Sequence, residues 1–408
     1  IRPTMGMRVT VLIVVMMMTV LLSSTVSAES AVELDSIIIL DNDDLGIQGI
    51  AENPEGSRIL IYGMDGYAEI IFSQRPEIQI PLSATDKQTM RGADWHPGGG
   101  TAFLVGDEGM ILRYASDDYS LTQAGEQLNF GQTQLNAVAW NTAGSWAYVG
   151  GDDGWLWRIR AQGDGGLETH LIEGRGEGDV TSIDCHNELM LCVISSSTDG
   201  IGIIERDHVL TWIGGSFYPW TSVICPTSYV QYCTSVSSDL QIGMIRLHTE
   251  GALQSELSVS DIKGVDGKFM QLSHQEDARS LIIVAPFSLL EHNIEINSTY
   301  PWLDNDDAVN FDATISGERI IGTWNTGKDS GWIVTSRGTM IEFHSTEESG
   351  GIGLVLGGIV GFLIPLTIFM LVLTLVYTAS PKMQHWMTMK FGNQQEKIDA
   401  KRKVRRKR

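Results

Sequence analysis

The sequence has no Gly-x-Ser-x-Gly elbow, no His-Glu-x-x-His pair and no Walker loop. The common local signatures of acyl hydrolases, zinc peptidases and nucleotide hydrolases are therefore missing. It holds only four cysteines in 408 residues, none in a CxxC spacing, so no local zinc-knuckle pattern is present. Proline is scarce at 11, and the 44 glycines follow no three-residue period, which excludes a collagen-like chain. Basic residues are also few, with 28 Lys and Arg against 50 Asp and Glu and a formal net charge of −22. Apolar residues, by contrast, make up 43 % of the chain, enough for a packed core and incompatible with wholesale disorder.

The charge is unevenly spread. Residues 1–28 carry Arg2 and Arg8 and no acid, and residues 379–408 carry ten basic and two acidic residues. Once those two positive ends are subtracted, the middle of the chain carries −32. Both ends read as membrane signals. A basic start, the apolar run Val9–Leu22 and the small residues ending at Ala28 describe a secretory signal peptide over residues 1–28, with an uncleaved anchor as the alternative. Residues 352–378 contain no charge, include Pro365, and at about 1.5 Å per residue exceed a hydrocarbon core of about 30 Å. The basic residues that follow place the tail, 379–408, in the cytoplasm and the acidic middle outside. Lys401–Arg408, read alone, resembles a nucleic-acid patch; behind a membrane span it is better read as a topology signal, and no nucleic-acid partner is expected. Gly353, Gly357 and Gly361 give the span a face on which two copies can pair as a homodimer.

Residues 29–345 repeat with a period in the low-to-mid forties. Gly92-Ala-Asp-Trp-His-Pro-Gly-Gly99 leads to Ala102-Phe-Leu-Val-Gly106, Glu108-Gly109 and Met110-Ile-Leu-Arg-Tyr114. Units built the same way begin near Gly49, Ala137 and Ser182, and three fainter ones near Cys225, His274 and Thr314 or Asn325. Each reads as strand, polar turn, strand, Asp-Gly or Glu-Gly turn, strand, then a weaker fourth strand. Asp-Gly between apolar runs is a hairpin signal because both turn residues take positive φ. The sequence resembles the WD40-like and YVTN-type β-propeller superfamily, with Trp95-His96-Pro97 and Val105–Gly109 as the most telling stretch. That resemblance implies an all-β ectodomain, a seven-bladed propeller over residues 29–345; the uncharged run adds a linker, 346–351, and one C-terminal transmembrane helix. The Gly-His and Trp-Asp dipeptides of true WD40 blades and the sialidase Asp box are absent. Leu40-Asp-Asn-Asp-Asp44 recurs as Leu303-Asp-Asn-Asp-Asp307, each ahead of an expected first strand. This equates Ser36–Asp41 with an outer fourth strand and predicts that the N-terminal strand completes the last blade, whose own first strand is either Ala308–Ile315 or Ile320–Asn325.

Cys185, Cys192, Cys225 and Cys233 straddle the first hairpins of two successive units. In an exported chain disulfides persist, and Cys185–Cys192 with Cys225–Cys233 is the favoured pairing of three, ahead of free buried thiols or a metal site. His96, His186 and His274 share one repeat position, lie on a ring and read as turn or core residues. Asn297-Ser298-Thr299 is a glycosylation sequon. Phe217, Tyr218 and Trp220 form an aromatic loop that either stacks on a ligand or covers the rim. Asp65, Asp107, Glu108, Asp152, Asp153 and Asp199 fall in turns between second and third strands, and Asp41, Asp43, Asp44, Asp304, Asp306 and Asp307 in loops that lead to the next blade. All twelve are expected on one face, where they would attract Ca²⁺ or Mg²⁺, through the six loop aspartates, or a basic protein partner; no other cofactor is expected. An acidic exported domain also accords with a salt-exposed prokaryote such as an archaeon. The reading is a non-catalytic recognition or scaffold module held at the plasma membrane by a single pass. Its rivals are a hydrolase or lyase working in the propeller's funnel, and an assembly factor for another membrane complex.

Overall fold

The computed structural model describes residues 30–84, 87–124, 130–162, 166–226, 231–275, 278–312, 314–346 and 380–405. The chain opens with β1 (Val32–Ile39). Blade 1 is β2 (Ile47–Glu52), β3 (Arg58–Gly63), β4 (Ala68–Phe72) and β5 (Arg75–Pro81). Blade 2 is β6 (Met90–Trp95), β7 (Thr101–Gly106), β8 (Ile111–Ala115) and β9 (Ser120–Gln123). Blade 3 is β10 (Leu135–Trp140), β11 (Ala147–Gly151), β12 (Leu156–Ala161) and β13 (Leu167–Leu171). Blade 4 is β14 (Val180–Cys185), β15 (Cys192–Ser196), β16 (Ile201–Ile204) and β17 (Leu210–Gly214). Blade 5 is β18 (Trp220–Ile224), β19 (Tyr232–Ser237), β20 (Gln241–Arg246) and β21 (Glu256–Asp261). Blade 6 is β22 (Lys268–His274), β23 (Arg279–Ala285), β24 (Ser288–Asn293) and β25 (Ser298–Leu303). Blade 7 is β26 (Ile320–Gly327), β27 (Ser330–Thr335) and β28 (Thr339–Ser345), and β1 pairs with β28 as its outer strand.

A blade packed on both sides must be apolar on both, so its second strand loses the alternation of a half-exposed sheet. Arg58–Gly63 shows this: Leu60 and Tyr62 pack toward blade 2, while Ile59 and Ile61 pack toward blade 7. Seven apolar clusters result, one at each junction, including Ile47, Ile61, Trp324 and Trp332 where blade 7 meets blade 1. The ring is closed by β1, antiparallel to β28 from Val32 opposite Ser345 to Ile39 opposite Thr339, with a bulge between Leu34 and Ile37.

The hairpin turns follow the expected chemistry in three blades. Asp65, Glu108 and Asp153 sit at φ 52°, 54° and 54°, each followed by a glycine at positive φ. In blade 4 only Gly200, at φ 102°, takes that conformation. The second Asp-Asn-Asp-Asp segment departs from expectation. It follows an outer strand but leads into helix α1 (Asn305–Phe311), with Asp304 as N-cap accepting from the Asp306 N–H at 3.2 Å. Ala308–Ile315 is thus no strand, and blade 7 begins at Ile320.

A second compact unit begins at Thr346 and contains α2 (Pro381–Phe391) and α3 (Gln394–Arg405). Among the described residues no helix is long and apolar enough to cross a membrane. The signal-like residues 1–28 and the apolar run 352–378, with Gly353, Gly357 and Gly361, lie outside the described residues, as does all of the linker but Thr346.

Candidate functional site

In a four-stranded antiparallel blade, the turn between second and third strands and the loop to the next blade leave from the same end. Backbone bonds tie these two sets together here. Met64 N–H donates to Gly46 O, Asp107 N–H to Thr89 O and Asp152 N–H to Gln134 O. Gly66 and Gly109 reach the next junction, donating to Gln88 O and Thr133 O. The twelve acids singled out in the sequence all belong to these turns and loops, which form one face of the ring.

Most of them are engaged locally. Asp107 pairs with Arg91 at 2.5 Å, Glu108 accepts from Gln88 at 3.0 Å and Asp152 from Asn136 at 2.8 Å. Asp199 accepts from Gly178 N–H at 2.7 Å and Ser196 Oγ at 2.9 Å. Asp41 and Asp44 cap their own turns through Asp43 N–H and Gly46 N–H, and Asp307 accepts from Ser30 Oγ. Asp43, Asp65, Asp153 and Asp306 are exposed. The two Asp-Asn-Asp-Asp segments sit at different blade junctions, and no three His, Cys, Asp or Glu side chains converge as a metal centre among the described residues. Ca²⁺ asks for 6–8 oxygens around one point, and these aspartates are instead spread around a rim.

The aromatic loop divides. Phe217 is 93 % exposed on the same face, and Tyr218 packs edge-on against Trp220 at 5.6 Å. Trp220 is the first residue of β18, is 1 % exposed and donates its indole N–H to Gly215 O, so it is core and not a ligand contact. One further feature on this face is not legible in the sequence, because its partners lie in separate repeat elements: Arg175 stacks on Trp155 at 4.0 Å, and Trp155 stacks on Trp157.

Both disulfides form as favoured, Cys185–Cys192 and Cys225–Cys233, and no described cysteine is free. His96 and His186 cap their turns through Nδ1, accepting from Gly98 N–H and from Glu188 and Leu189 N–H. Asn297 is exposed in the turn between β24 and β25, at φ 47°.

Two carboxylates of the inner strands were not singled out in the sequence. Asp94 and Asp184 occupy the same register position of blades 2 and 4, opposite Phe103 and Val193. Asp94 accepts from Trp95 N–H at 2.9 Å and, across the junction, from Trp140 N–H at 2.6 Å. Asp184 does the same with Cys185 N–H at 2.8 Å and Cys225 N–H at 2.6 Å. Burial pushes both carboxyls up to about 7, against the pull of these N–H donors, and the charge of Asp184 adds to the rise at Asp94. Each bridges its own strand to the next blade, which makes them clips of the ring.

No protein-family model matches the chain, and no curated protein sequence matches it. Solved structures do. The β-propeller domain of Cps50 (Swd1) from Myceliophteria thermophila superposes with a TM-score of 0.61 at 9 % identity, over 77 % of this chain and 100 % of that one. In all, 1627 solved chains match, so the propeller fold is common and selects no function by itself.

Proposed function

We propose that this protein is a non-catalytic binding module, exported and held at the cell surface, whose turn face receives a basic protein partner. The observation that carries this reading is the gathering of the second-to-third-strand turns and the inter-blade loops on one face, with acids recurring through both sets. Local disulfides in two successive blades support an oxidising location, as do the signal-like residues 1–28. The apolar run 352–378 then supplies the anchor, and the basic tail faces the cytoplasm.

The test uses the full-length protein in detergent and a fluorescent Lys/Arg-rich peptide, titrated at low and at high salt. Saturable binding that weakens steeply with salt and falls several-fold in an Asp152→Asn, Asp153→Asn double variant is expected. An absence of binding at low salt, or binding indifferent to that double variant, would overturn the reading.

A further inference from the structure

The opposite face, where first strands turn into second strands and third into fourth, carries a cleft of about 340 Å³ between blades 2 and 3. In a chain whose middle carries −32, no acidic side chain among the described residues lines it. Its walls include Thr101, Phe103, Arg113 and Trp140, with Arg160 at the edge. Arg160 is committed elsewhere, bonded to Glu168 at 2.6 Å and stacked on Trp146 at 4.6 Å. Arg113 is exposed, and its guanidinium has no hydrogen-bond or ion-pair partner among the described residues.

The repeat supplies a control for the wall opposite. Trp95 and Trp140 hold one register position, facing Ala102 and Ala147 respectively. The Trp95 indole donates to Ala51 O at 3.0 Å. Trp140 is 8 % exposed, and its Nε1–H meets no acceptor among the described residues. A buried donor left unmatched costs free energy that an incoming acceptor removes. The ring itself is held rigidly: Phe103 stacks on it at 4.9 Å, and His96 meets it edge-on at 4.8 Å. His96 is in turn fixed, since Nδ1 accepts from Gly98 N–H and Nε2 donates to Gly144 O at 3.1 Å.

We propose that this cleft binds a small oxyanion, a carboxylate or phosphate carried on a body of about the size of a sugar ring. Guanidinium and indole N–H groups are donors only, so what they match must be an acceptor, and a negative one suits Arg113 best. The Trp140 ring, backed by the buried Phe103, gives the body of the ligand an aromatic edge. This site lies on the face away from the acidic turns and does not depend on the partner proposed there.

Calorimetric titration of the full-length protein with sodium glucuronate, inorganic phosphate and, as neutral control, glucose tests it. Saturable binding of at least one anion is expected, with none for glucose, and the tighter of the two identifies the acid group. Arg113→Gln should weaken that binding by about tenfold or more, and Trp140→Phe, which keeps the ring and deletes the N–H, by several-fold. An unchanged unfolding midpoint of ligand-free Arg113→Gln shows the loss to be local. Failure of both anions to bind, or binding that Arg113→Gln leaves intact, would overturn the proposal.

Discussion

A carboxylate that bridges two blades has a pH signature that a turn-forming aspartate lacks. In the unfolded chain an aspartate titrates near 3.9, whereas in the ring burial pushes Asp94 and Asp184 up to about 7. Folding therefore takes up protons between those values. Their contribution is fully present below about pH 4 and is lost as pH rises through about 7. Burial pushes His274 down and His292 down to about 4, which gives these groups the opposite slope, so the informative quantity is a difference. An Asp94→Asn, Asp184→Asn double variant should lose ground to the wild type at pH 5 and recover it at pH 8, measured as the offset between thermal midpoints. An offset that stays constant with pH would show that neither carboxyl is perturbed. Asp94 was legible in the sequence as part of a strand ending in Trp95-His96, but its reach to Trp140 was not, because the two are joined only when neighbouring blades meet. The misreading of Trp220 has the same origin. Phe217-Tyr218-Pro219-Trp220 looks like one aromatic loop, and only the strand that starts at Trp220 separates an exposed Phe217 from a buried indole.

Elements were easier to read than contacts, since both apolar alternation and Asp-Gly turns are local. The inner hairpins of blades 1–3 follow directly from sequence, as does the antiparallel pairing that sets Cys185 opposite Cys192. Helix α1 was hidden by a coincidence of chemistry. Asp-Asn-Asp-Asp serves equally as a chain of turns after β1 and as an N-cap with acids in the first helical turn after β25. Closure by β1 was visible because the same tetrapeptide marks the end of an outer strand both times. Its energetic weight can be checked. Val32 is buried among Trp302, Phe343 and Ile341, and β1 covers an edge of β28 that would otherwise be open. Deleting residues 30–40 from the full chain should lower unfolding free energy by at least about 3 kcal/mol, from lost apolar burial and ladder bonds. Urea unfolding read by tryptophan fluorescence measures it, and an unchanged midpoint would mean that the ring closes without this strand.

At the scale of the molecule, charge and chain order suggest the arrangement. The acidic propeller lies between two apolar runs, and each run is flanked by basic residues on the side expected to face the cytoplasm or to precede export. The second unit carries that basic character in α2 and α3. Trp386 and Phe391 are exposed there, with Lys390 lying over both rings. In the proposed topology the propeller lies outside and the basic tail inside. Protease added to intact cells that express the protein with a tag after Arg408 should therefore remove the propeller and leave a protected, tagged fragment containing the span and tail. Lysed cells should lose that tag as well. An intact propeller with a digested tag would invert the orientation and place both acidic and anion-binding faces in the cytosol, where the two disulfides would not be expected to persist. Protection of both ends in intact cells would instead put the whole chain inside, and the surface-module reading would fall with it.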